Sequence, residues 1–308
     1  MTTSVDKVPE GPGPSGTASP HHPIRAVPVR HYGRWVSAVV VVGVLAALGA
    51  AFAGGKITWS TTREFLFNAD IMAGAGNTLF ISVASMVLGL VLGVTAAVMR
   101  MSGNPVMSGV AWLYIWIFRG TPVIVQLLIW WNLALVFPTM FGQDTNKVIT
   151  PLVAALLGLG INEGAYMAEI VRAGIQSVDE GQTEASHALG MSKGQTMRRI
   201  VLPQAMRVIV PPTGNEFINM LKTSSLAFVV TYPEVMLKVQ DVYTNNLAVM
   251  ELLFVACFWY LVLTTVFSIG QFYLERRYAR GSSRNLPPTP LQKIKANMFS
   301  LRTPGGAL

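Results

Sequence analysis

The sequence predicts an all-α polytopic membrane protein, and three observations lead there. Only 12% of the 308 residues are charged, about half the roughly 25% usual in a soluble domain. Hydrophobic residues make up 52% and mean hydropathy is +0.47. The apolar residues come in long blocks instead of alternating, which is what a bilayer solvent requires.

Residues 1–33 are rich in proline and include Gly11, Gly13, Gly16 and Gly33. Such a segment buries too little apolar surface to offset its ordering entropy, so it reads as a disordered cytoplasmic tail. The run from Trp35 to Ala53, WVSAVVVVGVLAALGAAFA, is about 19 residues long and just spans roughly 30 Å of hydrocarbon at 1.5 Å per residue. Residues 34–54 are therefore read as a first membrane helix. Ala51 and Ala53 ahead of Gly54 also fit the cleavage pattern of a signal peptide, although the polar segment before them is long for one.

Further spans are expected at 77–99, 111–137, 151–172, 200–231 and 249–274, making about six in all. Between the first two, Trp59, Phe65, Leu66 and Phe67 lie near Arg63 and Glu64 and suit an interfacial helix. Gly89 with Gly93, and Gly160 with Gly164, form G-x-x-x-G pairs that let helices approach closely. Basic residues set the orientation. Arg25, Arg30, Arg34, Arg100, Arg119, Arg172, Lys193, Arg198, Arg199, Arg207, Arg276, Arg277, Arg280 and Arg284 fall on one side, against Lys56, Arg63, Lys147 and Lys238 on the other. The first side is cytoplasmic by the excess of positive charge, which puts both termini inside. The net charge of +8 is thus mostly a topological signal, and no basic patch interleaved with aromatics points to nucleic acid. The segment 279–308 reads as a flexible basic cytoplasmic tail.

Composition also removes several chemistries. The single cysteine, Cys257, excludes an intrachain disulfide framework and a cysteine-rich zinc site. Of the four histidines, only His187 lies outside the N-terminal tail, so there is no material for a His-rich metal or acid–base centre. Gly55-Lys56 lacks the earlier glycine and the following Ser or Thr of a phosphate-binding loop, so the chain cannot cradle ATP itself.

Two stretches carry chemistry. The long inner loop from Glu180 to Ala205 is polar, helical in pattern and rich in small residues. Ser177 followed by Glu180 forms a capping box, so a short helix is expected there, running to about Leu189 and stopped by a left-handed Gly190. Ala185, Ser186, Ala188 and Gly190 leave one side nearly without bulk for close approach of a partner, and Glu184 offers a carboxylate across that contact. An ordinary solvated loop helix has the same composition. The second stretch is the set of polar groups inside the spans, where a charge near the bilayer centre costs on the order of 2.5 to 3.5 kcal/mol. Asn162 and Glu163 suit a pathway or a structural pair, and Glu169 suits an ion pair with Arg119 or Arg172. Pro211, Pro212 and Gly214 should kink or break the fifth of these spans, followed by a polar stripe of Asn215, Glu216, Asn219, Lys222 and Ser225. Arg119-Gly120-Thr121-Pro122, with Gln126 a turn further on, reads as a similar break.

These residues resemble a known family. Glu184-Ala185-Ser186, then Gly190, then Ile200-x-Leu202-Pro203 reproduce the EAA signature of permease subunits of ATP-binding-cassette importers, spacing included. Phe118 to Pro122 with Gln126, Gly164 to Ile170, Gly174 to Val178, Pro211-Pro212-x-Gly214-Asn215 and Leu221-Lys222-x-x-Ser225-Leu226 look like its polar amino-acid subfamily. The match covers about residues 70–278. The resemblance implies a five-helix type I importer permease core plus one additional N-terminal helix, with loop 177–203 as the coupling helix. It further implies two nucleotide-binding ATPase subunits that carry Mg-ATP, so that this chain is no enzyme and binds no cofactor itself. A second permease subunit, in a homodimer or heterodimer, an extracytoplasmic solute-binding protein and a bacterial inner-membrane location complete the expectation. Glu184, Ala185, Ser186 and Gly190 would couple to the ATPase, and Thr121, Gln126, Asn162, Glu163, Asn215 and Lys222 would line the substrate path. Ser186 stands where the family more often has Ala, a change small enough to keep the docking surface. A self-contained proton-coupled transporter using Glu163 and Glu169 is the rival reading, and it leaves the EAA loop unexplained. An intramembrane enzyme is third, without a G-x-S-x-G or H-E-x-x-H motif to support it.

Overall fold

The computed structural model describes residues 32–279, and these fall into two compact units divided after Lys56. The first unit holds α1 (Tyr32–Ala53), an unbroken 22-residue helix. The expected tails lie outside the described residues except for their ends.

The second unit opens with the short α2 (Trp59–Phe65) and the long α3 (Ala69–Arg100). Next come α4 (Pro105–Gly120) and α5 (Val123–Trp131), then a small hairpin, β1 (Thr139–Met140) and β2 (Gln143–Asp144), and one turn of helix, α6 (Thr145–Val148). The remainder is α7 (Pro151–Gln176), α8 (Glu180–Ala188), α9 (Lys193–Thr196), α10 (Leu202–Thr223), α11 (Val235–Asn246) and α12 (Val249–Ala279). Local chemistry explains the starts. Asn68 accepts from the amide of Asp70, Asn104 from those of Val106 and Met107, and Thr150 from that of Val153. Pro105 and Pro151 occupy first-turn positions where a missing N–H costs nothing.

Among the described residues, four helices (α1, α3, α7 and α12) are long and apolar enough to cross a membrane, and α4 with α5, bent by 102°, makes a fifth where the pair is counted as one broken span. Thus the expected 111–137 span is not one helix: the break falls at Thr121–Pro122, where the proline cannot continue α4. α10 is less apolar because the polar stripe occupies one of its faces. Its 22 residues still give about 33 Å of helix, enough for a span sheltered by neighbours.

α3 and α7 form the central pair, and the two glycine pairs are what brings them together. A methyl group on Gly89 would sit 2.7 Å from Cγ of Glu163, and one on Gly160 would sit 2.7 Å from a Leu88 methyl. On Gly93 it would collide with Met167 and lie 3.0 Å from the backbone of Ala168 and Gly164. Four clusters fill the rest of the core among the described residues: Ile81, Leu127, Leu159 and Met220 in one, Ile71, Val235, Val239, Leu252 and Val255 in the second, Met86, Met167, Val171, Ala205 and Ile209 in the third, and Ala96, Ile115 and Ala168 in a small fourth.

Two expectations about breaks are corrected. α10 runs unbroken through Pro211 and Pro212. The Thr213 hydroxyl donates to the Ile209 carbonyl, and Gln271 of α12 donates to that of Pro211, in space left free by Gly214. The irregularities lie at its ends instead, in a π turn at Met197–Val201 and a 3-10 stretch at Ser224–Val230. The capping box at Ser177 does not form either. Ser177 ends α7, its hydroxyl donating to the Gly174 carbonyl, and the N-cap of α8 is Asp179, which accepts from the amide of Gly181.

Candidate functional site

The α4–α5 bend is built around one buried amide. Gln126, 5% exposed, donates from Nε2 to the carbonyls of Phe118 and Thr121 and to the Thr121 hydroxyl, at 2.8–3.1 Å. Asn162 of α7 donates to the same Phe118 carbonyl at 2.7 Å and to Gln126 Oε1 at 3.3 Å. These two amides satisfy carbonyls that the helix break leaves without partners, so a polar network replaces the missing backbone ladder inside the bundle.

Beside the bend lies a cavity of about 650 Å³. Thr121, Pro122 and Val123 form one wall, Leu159, Asn162, Glu163 and Tyr166 of α7 a second, and Glu216, Asn219, Met220, Lys222 and Thr223 of α10 a third. Two carboxylates thus face one ammonium. Glu163 is 5% exposed, its stem pressed against Gly89, and its Oε1 is buried with no hydrogen-bond partner among the described residues. A buried carboxylate oxygen without a donor is costly unless a cation or donor arrives. Thr121, Asn162, Glu163 and Lys222 therefore meet at one cavity, whereas Gln126 braces its wall from behind and Asn215 is exposed outside it. Glu216 and Asn219 belong to the lining as well, and their helical spacing from Lys222 is the signal that places them there. Tyr166 was legible only as one turn of α7 beyond Glu163.

A second cavity, of about 590 Å³, lies further along α7 and is lined by Arg100, Arg119 and Arg172 with Glu169, Trp112, Trp116 and Tyr166. Arg172 holds Glu169 in a two-point contact, at 2.6 and 3.3 Å, and reaches Gln176 at 2.7 Å. Glu169 is thus paired with Arg172 and not with Arg119.

Loop 177–203 carries the third element of the site. α8 ends at Gly190, whose φ of +77° is the left-handed stop its sequence predicts. Glu184 and Ala185 are exposed. Ser186 is 3% exposed: its hydroxyl donates to the Thr183 carbonyl and shares a 2.8 Å bond with the Thr196 hydroxyl. It fastens α8 to α9, which has its own capping box of Ser192 and Gln195. Leu189, by contrast, is 83% exposed at the tip beside Gly190. Sequence reasoning passed over it because a leucine at the end of a helix ordinarily faces inward.

A bundle of apolar helices enclosing a charged cavity, with a polar loop helix presenting an exposed leucine, defines a membrane permease subunit. The profile of the family described as binding-protein-dependent transport system inner membrane component matches residues 89–280. The arginine transport system permease protein of Corynebacterium glutamicum is 49% identical over 292 residues, covering 92% of each chain. The glutamine transport system permease protein of Escherichia coli is 36% identical and covers 67% of this chain and 92% of its own. A solved amino acid ABC transporter, described as crystallised with histidines, superposes with a TM-score of 0.65 at 32% identity, over 72% of this chain and 100% of that one. The chain belongs to the family of binding-protein-dependent transport system inner membrane components. It is a multi-pass membrane protein and a permease subunit of an importer.

Proposed function

We propose that this chain translocates basic amino acids, delivered by a solute-binding protein and driven by two ATPase subunits that dock on loop 177–203. The observation that carries the cargo is Glu163: an orphaned carboxylate oxygen in a cavity that also holds Glu216. Lys222 is the one ammonium on the lining, against two carboxyl groups. That suits a ligand bearing one more cationic group than a neutral amino acid. The arginine permease at 49% identity supports the same cargo. Thr121, Asn162, Glu163 and Lys222 contact it in this reading, and Asn215 lies at the mouth of the path.

Coupling rests on the exposed face of α8. Glu184 and Ala185 offer a charge and a flat surface, Leu189 an apolar plug, and Gly190 the turn that presents them, while Ser186 keeps the loop rigid from within. The chain carries no phosphate-binding loop, so Mg-ATP belongs to the partner. A second permease subunit completes the path, and the excess of basic residues in the loops supports a cytoplasmic position for both termini. ATPase activity of the complex reconstituted in lipid, with and without loaded binding protein over a panel of amino acids, tests the whole. Stimulation by basic amino acids is expected. Uptake that follows an ion gradient with no ATPase subunit present would overturn it.

A further inference from the structure

The acidic cavity and the arginine-lined cavity share one side chain. Tyr166 stands in the wall of both, and the chain beside it passes from Gly120, which faces the basic cavity, to Thr121, which faces the acidic one. The ring is fixed at its base, because Ala165 and Met167 on either side are completely buried. Its outer face is covered by Arg119, whose guanidinium carbon lies 5.2 Å from the ring centroid. Among the described residues Arg119 makes no hydrogen bond or ion pair. The nearby carboxylate of Glu169 is taken by Arg172 on two oxygens. Arg119 is thus held by the aromatic face and by the longer-range attraction of the Glu169 carboxylate, with no direct hydrogen bond, an arrangement weak enough to break and re-form thermally.

Its position also makes the contact mechanical. Arg119 is the penultimate residue of α4, one step before Gly120 and the 102° bend to α5. A methyl group added to Gly120 would meet nothing within 4 Å, so space surrounds the bend on that side. A change in the α4–α5 angle that moves α4 carries Arg119 across or away from a ring anchored on a different helix. The two cavities differ in sign as well, with Glu163 and Glu216 on one side and Arg100, Arg119 and Arg172 on the other.

We infer that the stacked pair Arg119 and Tyr166 is the partition between the substrate cavity and a basic vestibule on the cytoplasmic side, opened when the α4–α5 bend moves. This rests on the substrate-cavity reading above, and it assigns Arg119 and Tyr166 as gating residues, distinct from those that hold the cargo.

The test uses the full permease–ATPase complex in proteoliposomes, in a Cys257→Ser background that removes the exposed native thiol. A reporter cysteine is placed at Asn219→Cys, an exposed residue of the acidic cavity wall. A membrane-impermeant methanethiosulfonate is then applied from the cytoplasmic side without nucleotide. Labelling should be slow with Tyr166 present and about tenfold faster in Tyr166→Ala, the factor expected for loss of one such contact. Tyr166→Phe keeps the ring and should label at the parent rate, and Arg119→Ala should match Tyr166→Ala. A parent rate already equal to that of a free thiol, or no acceleration in Tyr166→Ala, overturns the inference. Uptake by Glu163→Gln over the amino-acid panel tests the cargo separately: unchanged uptake with accelerated labelling in Tyr166→Ala removes the cargo assignment and leaves the partition.

Discussion

Glu163 occupies its place because Gly89 has no side chain. Its Cβ and Cγ fill the volume that any larger residue on α3 would need, and its carboxylate is thereby pushed to the cavity edge with one oxygen unpaired. Glu163→Gln keeps the shape and removes the charge. Uptake of basic amino acids should fall by about tenfold or more while neutral ones are less affected, since one buried charge contact is worth roughly 1.5–3 kcal/mol. Radiolabelled uptake into proteoliposomes measures it, and an equal loss for every amino acid would make Glu163 a structural residue. Gly93 tests the packing itself. Gly93→Leu must drive α3 and α7 apart against backbone on both sides, an overpacking cost of about 1–3 kcal/mol. A lowered midpoint in thermal or detergent unfolding is expected, with aggregation before any change in substrate preference.

At the scale of elements, the bend between α4 and α5 depends on a side chain more than on a backbone ladder. Gln126→Leu keeps the volume and strips the donors from the Phe118 and Thr121 carbonyls. Leaving one buried acceptor unpaired costs about 1–3 kcal/mol. Asn162 still reaches Phe118, so a partly loosened bend is expected, seen as faster hydrogen exchange at residues 118–126 with α7 unchanged. Exchange as slow as in the parent would show the bend to be held by packing alone. Much of this architecture was readable from residue patterns: the apolar blocks mark the spans, Gly89 and Gly93 the tight crossing, Arg119 to Pro122 the break, and Gly190 the end of α8. What patterns missed is decided by long-range contact. Pro211 and Pro212 sit in an intact helix, and the Gln271 amide, 60 residues away, reaches the Pro211 carbonyl there, a contact no local rule contains. Ser177 and Asp179 are both capping residues within three positions, and only the Gly174 carbonyl, free at the end of α7, decides which helix each one serves. Thr121, Asn162, Glu163 and Lys222 converge from the α4–α5 link, α7 and α10, and only two of those residues are near one another in sequence.

For the molecule as a whole, the distance between cavity and loop must be bridged by something stiff. α7 runs from the cavity wall at Glu163 to Gln176, and α10 leaves the loop at Leu202 and returns to the cavity at Glu216. They meet below the cavity where Gly174 packs on Ile209 and the Ala205 backbone. In the proposed coupling, motion imposed on α8 is transmitted along the two helices that line this cavity, provided α8 is gripped. In the coupling proposed above, the exposed Leu189 supplies that grip, because burying a leucine is worth about 1.5–3 kcal/mol. Leu189→Asp should leave membrane insertion and the basal ATPase activity of the isolated partner intact, yet lower copurification of the ATPase subunit by at least about tenfold and abolish stimulation by loaded binding protein. Glu184→Lys should do the same through charge reversal. Ser186→Ala acts differently: losing the bond to Thr196 loosens the α8–α9 loop without changing its outer face. ATPase binding is then expected to persist while the ratio of amino acid transported to ATP hydrolysed falls. If Leu189→Asp binds and couples like the parent, docking must lie on the other face of α8, toward His187 and Lys193, and the exposed leucine is left without a role.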